Sequence, residues 1–341
     1  MKIKAINLAL QGSGSHGAFT WGVLDRLVEE ERIAIEGISA TSAGATNGVI
    51  FAYGLASGGR EGAKRALHDF WKRISEAGQP KPAPTDDFEK QVKEFWNDSW
   101  KIMKSFFPLL ARMTMLVSPY EFNPFNINPL KQLLEQSIDF RVLRDGGCPI
   151  KLFLCATNVR TGRIKIFDRR EISVDCVLAS ACLPTLFQAV EIGGEHYWDG
   201  GYVGNPGLFP LIYNCDSHDI VLVHINPSER PVPHSAPEIL NRINEVSFDS
   251  SLLREMRAIA FITKLIEDGI VDGTKVHRVL MHEITADGMA QEFSISSMLS
   301  IEWEFLQKLH EAGRQHADAW LAANYDRLGE ASTVDVEKKY G

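Results

Sequence analysis

The sequence predicts an α/β fold built on a central, mostly parallel sheet flanked by helices. Three observations carry that expectation. The first sixty residues run strand, glycine loop, helix, strand, tight turn, helix, and such alternation is the pattern of strands wound back in parallel by helices. The strands at 3–10 and 220–225 are short and predominantly apolar, as buried strands are. The chain has 341 residues, 45% of them hydrophobic, which is enough for one large domain or two modest ones with an ample core.

In chain order, residues 3–10 read as a buried strand and 11–17 as a glycine loop. Residues 18–31 read as a helix, with Phe19, Val23, Leu24 and Leu27 on one face. A second strand follows at 33–39. The small, apolar stretch 43–56 reads as a buried helix, and 61–77 as an amphipathic one with Ala63, Ala66, Leu67, Phe70 and Trp71 turned inward. Three prolines make 79–84 a linker or loop. Residues 128–138 read as a capped helix with Pro129 at its first position.

Strands at 150–158 and 164–167 should pair across Thr161-Gly162. A helix at 174–182 is ended by Pro184, and 187–192 with 195–197 form a hairpin around Gly193-Gly194. Beyond the strand at 220–225 and a loop at 226–233, two long helical patterns at 237–268 and 299–325 bracket a strand at 277–281. The last residues are polar and expected to fray. The expected organisation is one catalytic unit over 1–230 with an aromatic insertion at about 78–125. A mainly helical extension over 231–330 packs on that core, and 331–341 form a polar tail.

Composition excludes several classes. Charged residues make up 23% and the net charge is −8, which argues against the basic field that nucleic-acid binding needs. The five cysteines, Cys148, Cys155, Cys176, Cys182 and Cys215, have no CxxC spacing, and most sit among apolar neighbours. They read as reduced, buried thiols of a cytoplasmic protein. The apolar stretch at the N-terminus is cut short by the glycine loop, so a signal peptide is not expected, and no uncharged apolar run reaches the length of a membrane span.

Three motifs carry chemistry. Gly12-Ser13-Gly14-Ser15-His16-Gly17 joins a strand to a helix, where exposed backbone N–H groups can hold a phosphate or an oxyanion. A dinucleotide site is the rival reading. It requires an acidic residue at the end of the second strand, and that strand ends Ser39-Ala40-Thr41-Ser42. In Ala40-Thr41-Ser42-Ala43-Gly44-Ala45, Ser42 stands between strand and helix, the context of a nucleophile elbow; the plainer reading is a helix N-cap. Asp199-Gly200-Gly201, followed by Asn205-Pro206, reads by itself as a turn.

In this combination and order, the chain resembles the patatin-like phospholipase family. The match rests on 8–19, then Thr41-Ser42-Ala43-Gly44-Ala45, then Tyr197-Trp198-Asp199-Gly200-Gly201. The blocks Ala156-Thr157-Asn158 and Ala179-Ser180-Ala181 agree with it, and the likeness spans roughly 5–212. It implies a three-layer α/β fold and hydrolysis of lipid acyl esters by a Ser–Asp dyad, with no cofactor and no metal. Carried over by position, Ser42 is the nucleophile and Asp199 the base. The N–H groups of Gly12, Ser13 and Gly14 form the oxyanion hole, supported by Gly17, Gly44, Gly200 and Gly201. Three residues depart from the family pattern. Ala40 adds a methyl group at the elbow, Ser13 replaces a glycine and is strained if its φ must be positive, and His16 replaces a basic residue, making any charge there pH-dependent.

A serine hydroxyl needs an adjacent base, and burial of an aspartate supplies the proton affinity it otherwise lacks. His16 and His196 are weaker candidates, better read as hydrogen-bonded or solvated. His282-Glu283 has no second metal ligand at helical spacing. The expected partners are a lipid or other acyl ester and a transient membrane surface, with no nucleic acid. The 85–125 segment, rich in aromatics and holding Lys93, Lys101, Lys104 and Arg112, reads either as an interfacial lid or as an insertion closing over the core; it is expected to border the acyl pocket. The alternatives are a lipid- or membrane-associated binding protein with a decayed site, suggested by Ala40 and Ser13, and a nucleotide-binding oxidoreductase.

Overall fold

A computed structural model describes residues 3–77, 117–226, 230–272, 278–289, 293 and 295–340. Eight strands form one sheet: β1 Lys4–Leu10, β2 Ile33–Ala40, β3 Lys151–Asn158, β4 Ile164–Asp168, β5 Val190–Ile192, β6 Glu195–Asp199, β7 Asp219–His224 and β8 Leu280–Thr285. β3, β2, β1, β7 and β8 are neighbours in that order and all parallel. β4, β5 and β6 add antiparallel pairings at the β3 end. The mostly parallel α/β sheet expected from the sequence is the one observed.

Helices cover both faces, as a parallel sheet requires. α1 Gly17–Glu29, α2 Ala43–Ala77, α3 Pro129–Ser137 and α4 Val174–Ser180 belong to one layer, completed by α6 Trp303–Asn324. α5 Ala236–Glu267 and the short helices Phe209–Asn214 and Val336–Tyr340 form the other, around Leu211, Leu252, Met256 and Met281.

One register detail positions the site. Phe153 and Leu154 of β3 pair with Ser39 and Ala40 of β2 on one side and with Asp168 and Phe167 of β4 on the other. Ala156 and Thr157 pair with Lys165 and Ile164 of β4 and with Asp199 and Trp198 of β6. β4 therefore fills one edge of β3, and β2 and β6 share the other. Where β2 ends opposite Leu154, β6 takes over two residues later, so Asp199 is delivered beside the end of β2, roughly 7 Å along β3.

Several elements differ from expectation for identifiable reasons. The helices expected at 43–56 and 61–77 are both found: they follow one another within Ala43–Ala77 and are separated by a kink where Gly58 (φ −151°) and Gly59 (φ 64°, ψ −154°) leave helical geometry. The strand expected at 277–281 lies at 280–285. Its polar residues are tolerated because His282 pairs with Asp219 of β7 at 2.9 Å and Glu283 meets Lys339 and Tyr340. The C-terminal tail is pinned rather than frayed: Val336 and Tyr340 are buried, and Arg257 Nε donates to Tyr340 O at 2.8 Å. Of the proposed 78–125 insertion, residues 78–116 lie outside the described residues. In its last part, Tyr120, Phe122 and Phe125 are exposed around a short helix, Pro119–Phe122.

Candidate active site

β2 and α2 are joined by a single sharp turn at Thr41-Ser42. Ser42 has φ 56°, a left-handed conformation that costs a non-glycine residue roughly 1–2 kcal/mol and persists only where the surroundings impose it. They do so through several hydrogen bonds. Ser42 N–H donates to Ser180 Oγ at 3.0 Å, and Ser180 Oγ donates in turn to Cys155 O at 2.7 Å. Thr41 Oγ1 donates to Gly204 O at 2.6 Å and Ser39 Oγ to Gly207 O at 2.5 Å, tying the elbow to the segment after Asp199. Small residues are required around it: a side chain on Gly44 would collide with the Leu10 and Gln11 carbonyls, and one on Gly17 would meet the Ala43 methyl at 2.9 Å. The crowding expected from Ala40 is not found. Its methyl group faces Gly48 of α2, where even an added Cβ would sit 3.7 Å away.

The glycine loop lies against this elbow. A Cβ on Gly12 would land on the Ser42 Cβ. Gly12 N–H, expected among the oxyanion donors, instead donates to Asn205 Oδ1 at 2.8 Å, because the buried Asn205 amide clamps the loop and also donates to Gly12 O at 3.4 Å. Among the described residues, no protein acceptor takes the N–H of Ser13 or Gly14. The strain expected at Ser13 is not found either: its φ is −163°, and the positive φ of the loop, 55°, falls on Gly14.

Asp199 ends β6 and is fully buried. Its backbone is fixed by Asp199 N–H donating to Cys182 O at 2.7 Å and by Thr157 Oγ1 donating to Asp199 O at 2.7 Å. Gly201 N–H donates to Oδ1 at 2.7 Å, whereas Oδ2 is buried with no ordinary hydrogen-bond partner among the described residues. Burial pushes the carboxyl up to about 7, against the opposing pull of the Gly201 amide and then the Ser42 hydroxyl. The serine hydroxyl is thus close enough to act on the carboxyl without forming an ordinary hydrogen bond to Oδ2. Behind it, a side chain on Gly200 would strike the Cys155 carbonyl, and one on Gly201 would meet the Phe248 ring at 2.7 Å.

The histidines take other roles. His16 is buried, with Nδ1 3.1 Å from Ser13 Oγ and Nε2 2.8 Å from Ser297 Oγ. Burial, and then the nearby Arg230, lower its pKa to about 3, so it is neutral near pH 7 and supplies no charge to the loop. His196 points outward near Glu191, at 4.0 Å. His282 is held by Asp219 and Thr333 away from the elbow, and among the described residues no group of three or more His, Cys, Asp or Glu side chains could hold a metal ion. All five cysteines are free and buried.

A family model for patatin-like phospholipases matches residues 8–212, more than half of the chain and every residue of the elbow, the loop and the buried carboxyl. The chain belongs to the patatin-like phospholipase family. Lipid acyl hydrolase activity is what that membership supports. No curated protein matches the sequence. Among solved structures, VipD from Legionella pneumophila is similar at 14% identity and a TM-score of 0.44, over 98% of this chain and 72% of that one. Two structures of the ExoU–SpcU complex from Pseudomonas aeruginosa match at 13% and 15% identity with TM-scores of 0.34 and 0.33. They cover 94% and 99% of this chain and 53% and 71% of those chains. These likenesses are distant.

Residues outside the patatin-like match also reach the site. Phe248 and Asp249 come from α5: Phe248 packs edge-on against Tyr202 at 4.9 Å, and Asp249 accepts from Gln11 Nε2 at 3.1 Å. Gln11 Oε1 in turn accepts the Ile225 and Asn226 N–H groups at 2.9 and 3.1 Å, fastening the glycine loop to the end of β7. The Met298 backbone lies against Gly14, and the Phe293 ring packs at a tilt against His16, 4.6 Å between centroids. Sequence reading missed Gln11, Asn205, Ser180, Phe248 and Asp249 as site residues. Gln11, Asn205 and Ser180 stood in noted motifs, but nothing local in the sequence says whom they bond.

Proposed function

We propose that this protein hydrolyses acyl esters of the phospholipase A, lysophospholipase or simple esterase type through Ser42 and Asp199, with a covalent acyl-enzyme. The observation that carries the reading is the buried Asp199 carboxyl. One oxygen is fixed by the Gly201 amide, the other has no hydrogen-bond partner among the described residues, and the Ser42 hydroxyl is the side chain whose pull lowers the carboxyl's pKa. Asp199 accepts the Ser42 proton as Oγ bonds to the acyl carbon. The ester C–O bond then breaks, and the proton passes to the departing alkoxide, which leaves as alcohol or lysolipid. A water attacks the acyl-serine in the second half, with its proton again taken by Asp199 and returned to Ser42 Oγ. Ser13 and Gly14 N–H groups stabilise the oxyanion, each donor worth about 3–4 kcal/mol in such sites. Gly12 contributes its missing side chain, which lets the loop touch Ser42. A pKa of about 7 suits the carboxyl to both steps near neutral pH.

A lipid-binding protein with a decayed site is the second reading. It drew on Ala40 and Ser13, and both fit without strain, which favours the hydrolase. The test is hydrolysis of a panel of short p-nitrophenyl esters and phospholipids by wild type, Ser42→Ala and Asp199→Asn. Ser42→Ala should abolish turnover and labelling by a fluorophosphonate. Asp199→Asn should lower kcat by about 10²–10⁴. Equal turnover in Ser42→Ala and wild type would sink the proposal.

A further inference from the structure

α5 is 32 residues long, about 48 Å, and its two faces are at odds with its position at the surface. The inner face carries Leu252, Met256 and Ile259 into the core and lays Phe248 on Gly201. The opposite face of a surface helix is ordinarily polar. Here it carries Ile239, Ile243, Val246, Leu253 and Phe261, which are 43%, 55%, 52%, 39% and 62% exposed. At 100° per residue these five lie within about 40° of one line. Val232, before the helix, and Ile270, after it, are exposed as well.

Within the helix, from Ile239 to Lys264, the exposed charges along this stripe are basic, and acids adjoin it only at its C-terminal end. Arg254, Arg257 and Lys264 are exposed on it, whereas the helix's own acids lie elsewhere. Glu245 is buried, Glu255 accepts the Leu208 and Phe209 N–H groups, Asp249 faces Gln11, Glu238 caps the N-terminus, and Glu267 stands to one side with Arg278. From outside the helix, Glu337 reaches Lys264 at 3.5 Å, and Asp268 borders the C-terminal end. In a chain of net charge −8, a strip that combines apolar and cationic side chains stands apart from the rest of the composition.

We propose that the outer face of α5 docks on an anionic lipid surface. Apolar side chains enter the boundary between headgroups and acyl chains while arginine and lysine meet the lipid charge. A second copy of the chain fits less well, because facing stripes would set Arg254 and Arg257 against their like. Docking there has a consequence for the site. The same helix lays Phe248, on its inner face, against the turn after Asp199, so an adsorbed α5 sets that turn one helix diameter, roughly 10 Å, from the bilayer that would supply substrate. That consequence rests on the lipid-hydrolase reading, whereas the docking itself does not.

The test is flotation of the full chain carrying Ser42→Ala, which removes hydrolysis from the readout, with phosphatidylcholine vesicles and with vesicles doped with phosphatidylglycerol. Binding to the doped vesicles, weakening with salt, is expected, with little binding to phosphatidylcholine alone. Arg254→Glu should weaken that binding roughly fivefold or more, and Ile243→Asp with Phe261→Asp at least tenfold. Circular dichroism and, in the Ser42 background, turnover of a soluble short ester should stay unchanged in both. Binding that is indifferent to both sets of substitutions would overturn the proposal, as would failure to bind doped vesicles. A dimer on light scattering that the substitutions dissociate, without vesicle binding, would assign the face to self-association instead. If the vesicles are bound but no ester is turned over by the protein with Ser42 intact, the docking surface stands and the hydrolase reading falls.

Discussion

At the scale of single residues, the proposed mechanism turns on the proton affinity of Asp199. A carboxyl that accepts a proton from Ser42 must be ionised beforehand, and burial raises its pKa from 3.8 to about 7. kcat/KM for a neutral ester should therefore fall as pH drops through about 7, with an acid limb set by one group, and a pH–rate profile from 5 to 9 would reveal it. A limb near pH 4 would mean that the carboxyl is solvated in solution. The same shift has a stability consequence of opposite sense. Between the unfolded pKa and about 7 the folded chain holds a proton that the unfolded chain has released, so stability falls as pH rises through that window and the full cost is present above it. Asp199→Asn removes this cost. At pH 8 the variant should be more stable than wild type by a few kcal/mol at most, on the order set by the shift, and the gain should vanish near pH 4. Denaturant midpoints at the two pH values measure it.

At the scale of elements, local pattern and tertiary need part company at identifiable places. Strand–loop–helix alternation and the Ser42 elbow were legible because their signals are local: apolar runs, glycines at fixed offsets, a serine between strand and helix. Asp199 was legible through its place in an ordered set of motifs, since alone it reads as a turn. The seam that brings it to Ser42 was not legible, because it depends on β6 taking over the β3 edge where β2 stops. Nor was the engagement of the Gly12 N–H, which follows from a bond to a residue 193 positions away. The bend in α2 gives a clean test of local backbone preference. Gly58 and Gly59 both have open space around them, but only Gly59 has a positive φ. Gly58→Ala should be neutral or stabilising by up to about 1 kcal/mol. Gly59→Ala should destabilise by about 1–3 kcal/mol. Urea midpoints of the two variants check the contrast, and equal effects would mean that the bend is not fixed by Gly59.

At the scale of the whole molecule, the family match ends at residue 212, but the core does not. β8 extends the parallel order beyond β7, and α6 lies so close on α1 that a side chain on Gly22 would strike the His310 carbonyl and one on Gly313 the Phe19 carbonyl. Trp21 of α1 is 3.9 Å from the His310 ring of α6, centroid to centroid, and His316 Nδ1 of α6 is 2.7 Å from Thr285 O at the end of β8. On the other face, α5 supplies Leu252 and Met256 to the second core cluster and Glu255 to the amides at the start of the helix Phe209–Asn214. The stretch beyond 230 thus completes both layers and the sheet. A chain ending at residue 230 would expose the β7 edge, the α1 face around Trp21 and the apolar bed under α5 together, a combination that promotes strand-edge pairing and aggregation. Such a truncation should be insoluble, or lack a cooperative thermal transition, even though it contains the entire family match and both Ser42 and Asp199. A soluble 1–230 protein that unfolds cooperatively and labels with a fluorophosphonate would refute this, and would make the C-terminal third an appendage to a core able to stand alone. Gly313→Val within the full chain isolates the contact between α1 and α6 from the rest. Overpacking at that crossing should lower stability by about 1–3 kcal/mol. The fluorophosphonate label on Ser42 should survive in the fraction that remains folded, because the elbow is fastened through β2, α4 and the segment after Asp199 rather than through α6.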